Sequence, residues 1–187
     1  MAQNRLNREA VVSAAEALVD LDGWAYVTMT QLADRLGVRG PTLYSHVESL
    51  DALLGLVQIR ALAELGADLQ RSAMGKSGAD GVRALASALR SFATRHPGRY
   101  ELAMSEPIDR PALQVAGADA GAAFSAVVQS LGAPVSVELA FSCLSTLHGV
   151  LVLDRAGLFR GNELDIEAVY ERATELVVHT VEHAADA

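Results

Sequence analysis

The 187-residue chain holds one cysteine, five prolines and nine aromatic residues. A lone Cys143 cannot close a disulfide within the chain, and cysteine poverty of this kind fits a reducing compartment. No uninterrupted apolar run reaches the roughly 18 residues that span a bilayer. The opening "MAQNRLNREA" has no apolar core of the sort a secretory leader needs. A cytoplasmic protein with no membrane partner is the expectation. Period-two alternation, internal repeats and low-complexity tracts are also missing, whereas alanine, the strongest helix former, is abundant. Expected, therefore, is an all-α fold, and disorder is excluded by a hydrophobic fraction of 51%.

Cations are scarce as well. Fifteen Lys and Arg stand against 23 Asp and Glu, a net charge of −8. Residues 1–60 contain five arginines and seven acids. Phosphate-wrapping proteins carry a basic surplus, so any nucleic-acid binding here must come from local geometry. Nothing resembles a nucleophile elbow, an HExxH metal site or a Gly-rich phosphate loop. No catalytic residue, cofactor or enzyme activity is expected.

What is present is helical text with strong punctuation. Apolar residues at 11, 14, 15, 18, 19 and 21 form one helical stripe behind an Asn7 cap, ended by Gly23. Thr28-Met29-Thr30-Gln31 matches a capping box, flanked by Val27 and Leu32 as a hydrophobic staple. Gly37 closes that short helix. Gly40 and Pro41 then open the next, with Pro at the first helical position, and it is expected to run through Thr42 to Val47. Ser49 caps a longer helix over about 49–70, with Asp51 in its first turn. Further helices are expected near 80–95, 98–105, 110–131, 134–157 and 165–183, separated by "SAMGKSGADG", "SEPIDRP", "LGAP" and "GLFRGNEL".

Two short helices around a glycine turn make a helix-turn-helix. Ala33 is small enough for a close crossing, Val38 plugs the gap, and Leu32, Leu36, Leu43 and Val47 supply the inner face. Arg39, Gly40, Pro41, Thr42, Tyr44, Ser45 and His46 are left outside. In such a motif the start of the second helix meets base edges in the major groove. Arg39 can donate to a guanine, and Pro41 and Thr42 can touch a thymine methyl or accept a bond. Tyr44, His46 and helix-terminal amides reach phosphates. The competing structural reading is a plain Gly-Pro turn with Tyr44 partly packed.

Residues 7–57, with "LADRLGV", "PTLYSHV" and "DALL", closely resemble the DNA-binding head of the TetR family of transcriptional repressors. The resemblance implies an N-terminal three-helix head, residues 1–50, joined to a larger effector-binding and dimerisation body, residues 51–187. It also implies operator contacts at Pro41, Thr42, Tyr44 and His46, and at Thr30 from the preceding helix. Two positions depart from the pattern. Many relatives carry a phosphate-holding Lys where this chain has Leu50, and a base-reading side chain where it has Gly40. Loss of that Lys implies weaker non-specific affinity, or compensation from helix amides and from Arg8 or Arg5.

A head of this size reads few base pairs, so a homodimer on two half-sites about 34–36 Å apart is expected. "VELAFSCLSTLHGVLVLDRAG" is apolar around most of its circumference, and Val169, Ala173, Leu176, Val177 and Thr180 share one side of the last helix. These two final helices are the expected dimer surface, and "LSTLHGVLVLDRAGLF" resembles one C-terminal subclass of the family. A small-molecule effector pocket is expected among the middle helices, with Phe92, Tyr100, Met104, Phe124, Val128, Leu144, Leu147 and His148 as lining candidates. Ordinary core is the alternative for each of them. Glu175, His179 and His183 share a helical face, but their place near the last helix's C-terminus favours dipole stabilisation over a metal, and no metal is expected. The resulting function is a sequence-specific DNA-binding regulator, a repressor released from a palindromic operator by an effector. The alternative is a small-molecule-binding helical dimer with weak or lost operator binding.

Overall fold

The structure is a computed structural model and describes residues 6–130, 136–161 and 164–184. Arg5 and the "LGAP" connection lie outside them. Among the described residues all regular structure is helical: α1 (Arg8–Asp22), α2 (Met29–Leu36), α3 (Gly40–Leu43), α4 (Leu50–Ala73), α5 (Gly78–Arg95), α6 (Pro97–Ala103), α7 (Arg110–Ser130), α8 (Val137–Arg155) and α9 (Ile166–His183). A short 3-10 turn, Trp24–Tyr26, follows α1. The chain gathers into two compact units. One takes residues up to Glu64 together with Phe92–Gly117; the other takes Leu65–Ser91 and the chain from Ala118 onward.

In the first unit the α1 stripe Val11, Val12, Ala15, Leu18 and Val19 is buried with Leu32 and Ala33 of α2 and Leu43 of α3. Val47, Leu53, Leu54, Val57 and Leu102 complete the same core. Each fully buried Val or Leu contributes roughly 1.5–3 kcal/mol. Asn7 caps α1 by accepting the Ala10 amide at 2.8 Å, and Ser49 caps α4 by accepting the Ala52 amide at 3.0 Å.

Residues distant in sequence lock this unit. Gln58 on α4 is completely buried. Its Nε2 donates to the Leu102 carbonyl at 2.9 Å and to the Glu106 carbonyl at 3.2 Å, while its Oε1 accepts the Ile108 amide at 3.0 Å. A buried amide with its capacity used in this way fixes the 102–108 turn against α4. The start of α6 presses on the end of α1 so tightly that a Cβ on Gly98 would lie 1.8 Å from the Val19 carbonyl oxygen. Asp20 sits at that junction. It accepts the Arg99 amide at 2.9 Å and the Arg99 Nε at 2.8 Å, and Arg99 continues to Glu64 at 2.8 Å. Beside it, Arg60 bridges Glu9 at 2.7 Å and Glu16 at 3.0 Å. Burial pushes the Glu16 carboxyl above its ordinary value, outweighing the opposing pull of Arg60.

In the second unit α9 buries Tyr170, Ala173, Thr174, Val177, Val178 and Val181, the spacing of one helical face. Tyr170 donates its hydroxyl to the Ala86 carbonyl at 2.9 Å, and burial raises its phenol above the usual range. Arg83 of α5 grips Glu175 of α9 through two bonds, at 2.7 and 2.8 Å. Ala173 and Val177, grouped above with an outward face of α9, therefore point into this unit's own core; Leu176 and Thr180 are exposed. By contrast α8 buries only Cys143 and Leu147 and leaves Val137, Phe141, Val152 and Leu153 exposed.

Two outcomes follow for stability. Gly98→Ala forces backbone apart and lowers the melting temperature, with a loss of at least about 1–3 kcal/mol. Gly121→Ala, on α7 with open space around it, gains about 0.5–1 kcal/mol; thermal unfolding of both variants checks the contrast. The pH dependence of Glu16 has a definite sign. Its folded pKa is raised, so its ionisation opposes the fold as pH climbs through that value. Relative to wild type, Glu16→Gln should gain stability on going from acid to neutral pH, measured by urea denaturation; a constant difference would refute the assignment.

Candidate nucleic-acid interface

The interface begins with the capping box at α2. The Gln31 amide donates to Thr28 Oγ1 at 3.2 Å and the Thr28 amide donates to Gln31 Oε1 at 2.9 Å. Two otherwise unpaired amides are thus satisfied reciprocally. Val27 and Leu32, the expected staple, are both buried in the core. At the other end Gly37 is left-handed, with φ 66° and ψ 32°. The Val38 amide donates back to the Ala33 carbonyl at 3.0 Å, and the Gly37 amide to Asp34 at 3.2 Å. This closure turns the chain sharply at a φ that L side chains disfavour.

Beyond the turn, Gly40 is the first residue of α3 and Pro41 the second. Proline was expected one position earlier. Either place is tolerated, since the first four amides of a helix have no intrahelical acceptor. The regular helix is shorter than expected and ends at Leu43. Tyr44–His46 continue as a turn, with the His46 backbone amide donating to the Leu43 carbonyl at 2.9 Å and the Ser45 hydroxyl donating to the Thr42 carbonyl at 2.7 Å. Such i to i+3 bonds tighten the last turn of a helix, and Ser45 occupies a carbonyl that regular winding would use. Leu43 and Val47 are buried, which pins this segment from below.

Of the expected contact residues, Thr30, Arg39, Pro41, Thr42 and Tyr44 are exposed, and Tyr44 keeps 57% of its surface open. Gly40 and His46 are half-buried, so His46 is less displayed than its helical position implied. A Cβ on Gly40 would meet nothing within 4 Å. Packing therefore does not require glycine there, and its effect is to leave backbone bare at the tip. Leu50, at the position of the missing cation, packs partly against the core.

Local charge differs from net charge. Of the seven acids in residues 1–60, Glu9, Glu16 and Asp20 are engaged by Arg60 and Arg99. Arg8, Arg35 and Arg39 are exposed and have no ion pair among the described residues. Sequence reasoning missed one feature, a groove of about 450 Å³ behind the tip. Arg8, Tyr44 and His46 line it together with the apolar residues Leu56, Ile59 and Ile108. The apolar residues of α4 were visible in the sequence, but their partner Ile108 is about fifty residues away.

The effector candidates divide between the two units. Phe92 and Tyr100 are buried and Met104 half-buried in the first. In the second, Val128 and Leu147 are buried, and Phe124, Leu144 and His148 half-buried. Burial also lowers the His148 imidazole's affinity for a proton.

A family model described as "Tetracyclin repressor-like, C-terminal domain" matches residues 82–177. An uncharacterized HTH-type transcriptional regulator of Mycobacterium tuberculosis is 36% identical over 172 residues, covering 89% of this chain and 77% of the relative. The class D tetracycline repressor protein of Escherichia coli is 44% identical over 59 residues, 32% of this chain and 27% of that protein. Among solved structures, a TetR variant from Acinetobacter baumannii in complex with minocycline superposes with a TM-score of 0.69. It is 19% identical and covers 98% of this chain and 100% of its own.

Gly37→Ala should cost roughly 1–2 kcal/mol, because it places a Cβ on left-handed backbone. Tyr44→Ala, at an exposed site, should stay within about 0.5 kcal/mol of wild type. Chemical denaturation measures both.

Proposed function

The chain belongs to the TetR family of transcriptional regulators, and from that premise we propose that it represses transcription as a homodimer on a palindromic operator, releasing it when a small molecule binds. A DNA-binding regulator of this family is not an enzyme. In our reading residues 1–50 read the operator, and residues 51–187 hold the effector and the partner chain in the cytoplasm. The observation that carries the proposal is the tip itself: Arg39, Pro41, Thr42 and Tyr44 stand exposed on a turn whose Leu43 and Val47 are buried. Arg39, Gly40, Pro41 and Thr42 approach base edges in this proposal. Thr30, Tyr44 and His46 hold phosphates and set the register.

Dimerisation is assigned to α8 and α9. In support, α8 exposes Val137, Phe141, Val152 and Leu153, and α9 exposes Leu176, more apolar surface than a solvated face usually carries. The effector is assigned to the body, with Phe124, Val128, Leu144, Leu147 and His148 as candidates in the second unit and Phe92, Tyr100 and Met104 as candidates in the first. That a TetR variant of this fold is in complex with minocycline supports a small-molecule effector. Ligand binding shifts the population toward a state of low operator affinity, with a coupling of about 1–3 kcal/mol.

A second reading keeps the effector-binding dimer and drops strong operator binding. It is favoured by Leu50 in place of a cation and by the net charge of −8. Genomic footprinting, followed by titration of the recovered sites at two salt concentrations, separates the two. Repression predicts palindromic sites bound with sub-micromolar affinity, and Tyr44→Ala weakening them by roughly 1–3 kcal/mol. No palindrome enrichment, or binding untouched by Tyr44→Ala, supports the second reading. Leu50→Lys should tighten binding to all DNA alike and steepen the salt dependence by about one phosphate contact. An unchanged non-specific affinity would contradict the role given to position 50.

A further inference from the structure

The groove behind the tip lies wholly within the first unit. Its volume, about 450 Å³, is in the range of small-molecule sites. Leu56 and Ile59 of α4 give it one apolar wall, and Ile108 gives it another. Ile108 keeps 44% of its surface open. A single exposed isoleucine means little, but this one is held in place. Its amide donates to Oε1 of the buried Gln58 at 3.0 Å. A Cβ on Gly55 of α4 would lie 3.2 Å from Ile108 Cγ2, so the two backbones are closely matched there. The wall is preformed, and a ligand meeting it need not order it first.

The polar lining selects by charge. Arg8 is exposed and has no ion pair among the described residues. Glu48 and Asp109 also line the groove. Asp109 is already engaged: its Oδ1 accepts the Ala112 amide at 3.1 Å, at the start of α7, where a helix stabilises negative charge. Glu48 is left as the acid that opposes an anion. Tyr44 offers a hydroxyl and His46 an imidazole, and each can donate to an oxyanion.

We propose that this groove binds a small amphipathic anion, a carboxylate on an apolar body. Arg8 pairs with the carboxylate, since a guanidinium fork matches it with two parallel bonds. Leu56, Ile59 and Ile108 cover the apolar body. A cation of the same shape would set Arg8 against like charge. The site is separate from the effector candidates of the body, none of which lines it. Tyr44 and His46 are the residues assigned to operator phosphates, so a filled groove and a bound operator exclude each other by direct competition. That exclusion rests on the operator reading; the binding itself does not.

The test is an isotope-edited NMR titration of the full-length protein with octanoate and 4-phenylbutanoate. Octylamine and 4-phenylbutylamine are the cationic counterparts, and acetate lacks the apolar body. Saturable amide shifts at Arg8, His46 and Ile108 are expected with both carboxylates and not with acetate. Arg8→Gln should lower carboxylate affinity at least about tenfold, the loss of a charge-assisted bond. Glu48→Gln should raise it about two- to fivefold. Ile108→Ala should lower it roughly fivefold through lost apolar contact. The lock to Gln58 is made by the backbone and survives that substitution. Amines binding as tightly as the carboxylates would overturn the site, as would affinity untouched by Arg8→Gln or an absence of shifts with both carboxylates. Competition is read separately, by adding 4-phenylbutanoate to the protein on a footprinted duplex. Duplex affinity should fall as the groove fills, and fall far less in Ile108→Ala. Unchanged duplex affinity with the groove filled would overturn the exclusion. A chain that binds no duplex would count against the operator reading alone, because the shifts are read without DNA.

Discussion

A helix of four residues cannot stand alone in water, because nucleating the first turn fixes several dihedrals for a single hydrogen bond. The segment α3 is such a helix, and every useful feature of the tip depends on something else holding it. Leu43 and Val47 anchor it to a core shared with α1, α2 and α4. The left-handed Gly37 sets where it starts, and the capping box fixes the preceding helix against which it turns. The tip can then be nearly all backbone and surface side chains. None of Arg39, Pro41, Thr42 or Tyr44 is needed for packing, which leaves them available for recognition.

The acidic composition looked like an obstacle to DNA binding, and the fold changes the terms of that objection. Glu9, Glu16 and Asp20 are paired within the first unit, with Arg60 and Arg99. These pairs join α1 to α4 and α6 while neutralising three of the head's carboxylates with cations. Exposed arginines remain at 8, 35 and 39. Non-specific attraction to phosphate scales with the number of cations placed on the backbone, so a head with few of them leans on shape and on base-edge contacts. Low background affinity and retained selectivity are compatible on this arrangement.

Local signals carried much of the fold into the sequence. The Asn7, Thr28–Gln31 and Ser49 caps, the Gly37 turn and the all-α order were legible because each depends on residues within four positions of one another. The locks between helices were not. Asp20 and Arg99, Gln58 and the 102–108 turn, and Gly98 against Val19 join positions dozens of residues apart, and no periodicity announces such a meeting. Orientation was legible only in part. Ala173 and Val177 were grouped with an outward face of α9, yet the core claims them, because one apolar stripe does not say whether its partner is the same chain or another. For the effector candidates the limit is different in kind: Phe92, Val128 and Leu147 have the same spacing whether they line a cavity or fill a core.

The central claim is that the exposed turn from Arg39 to His46, and the start of α2, form the surface that meets DNA. Hydrogen–deuterium exchange of the full-length protein, with and without a footprinted site, tests it directly. The account predicts slowed exchange confined to amides at the start of α2 and from Gly40 to His46 when the cognate duplex is added, and none with a scrambled duplex at moderate salt. Protection elsewhere with this segment unchanged would contradict it.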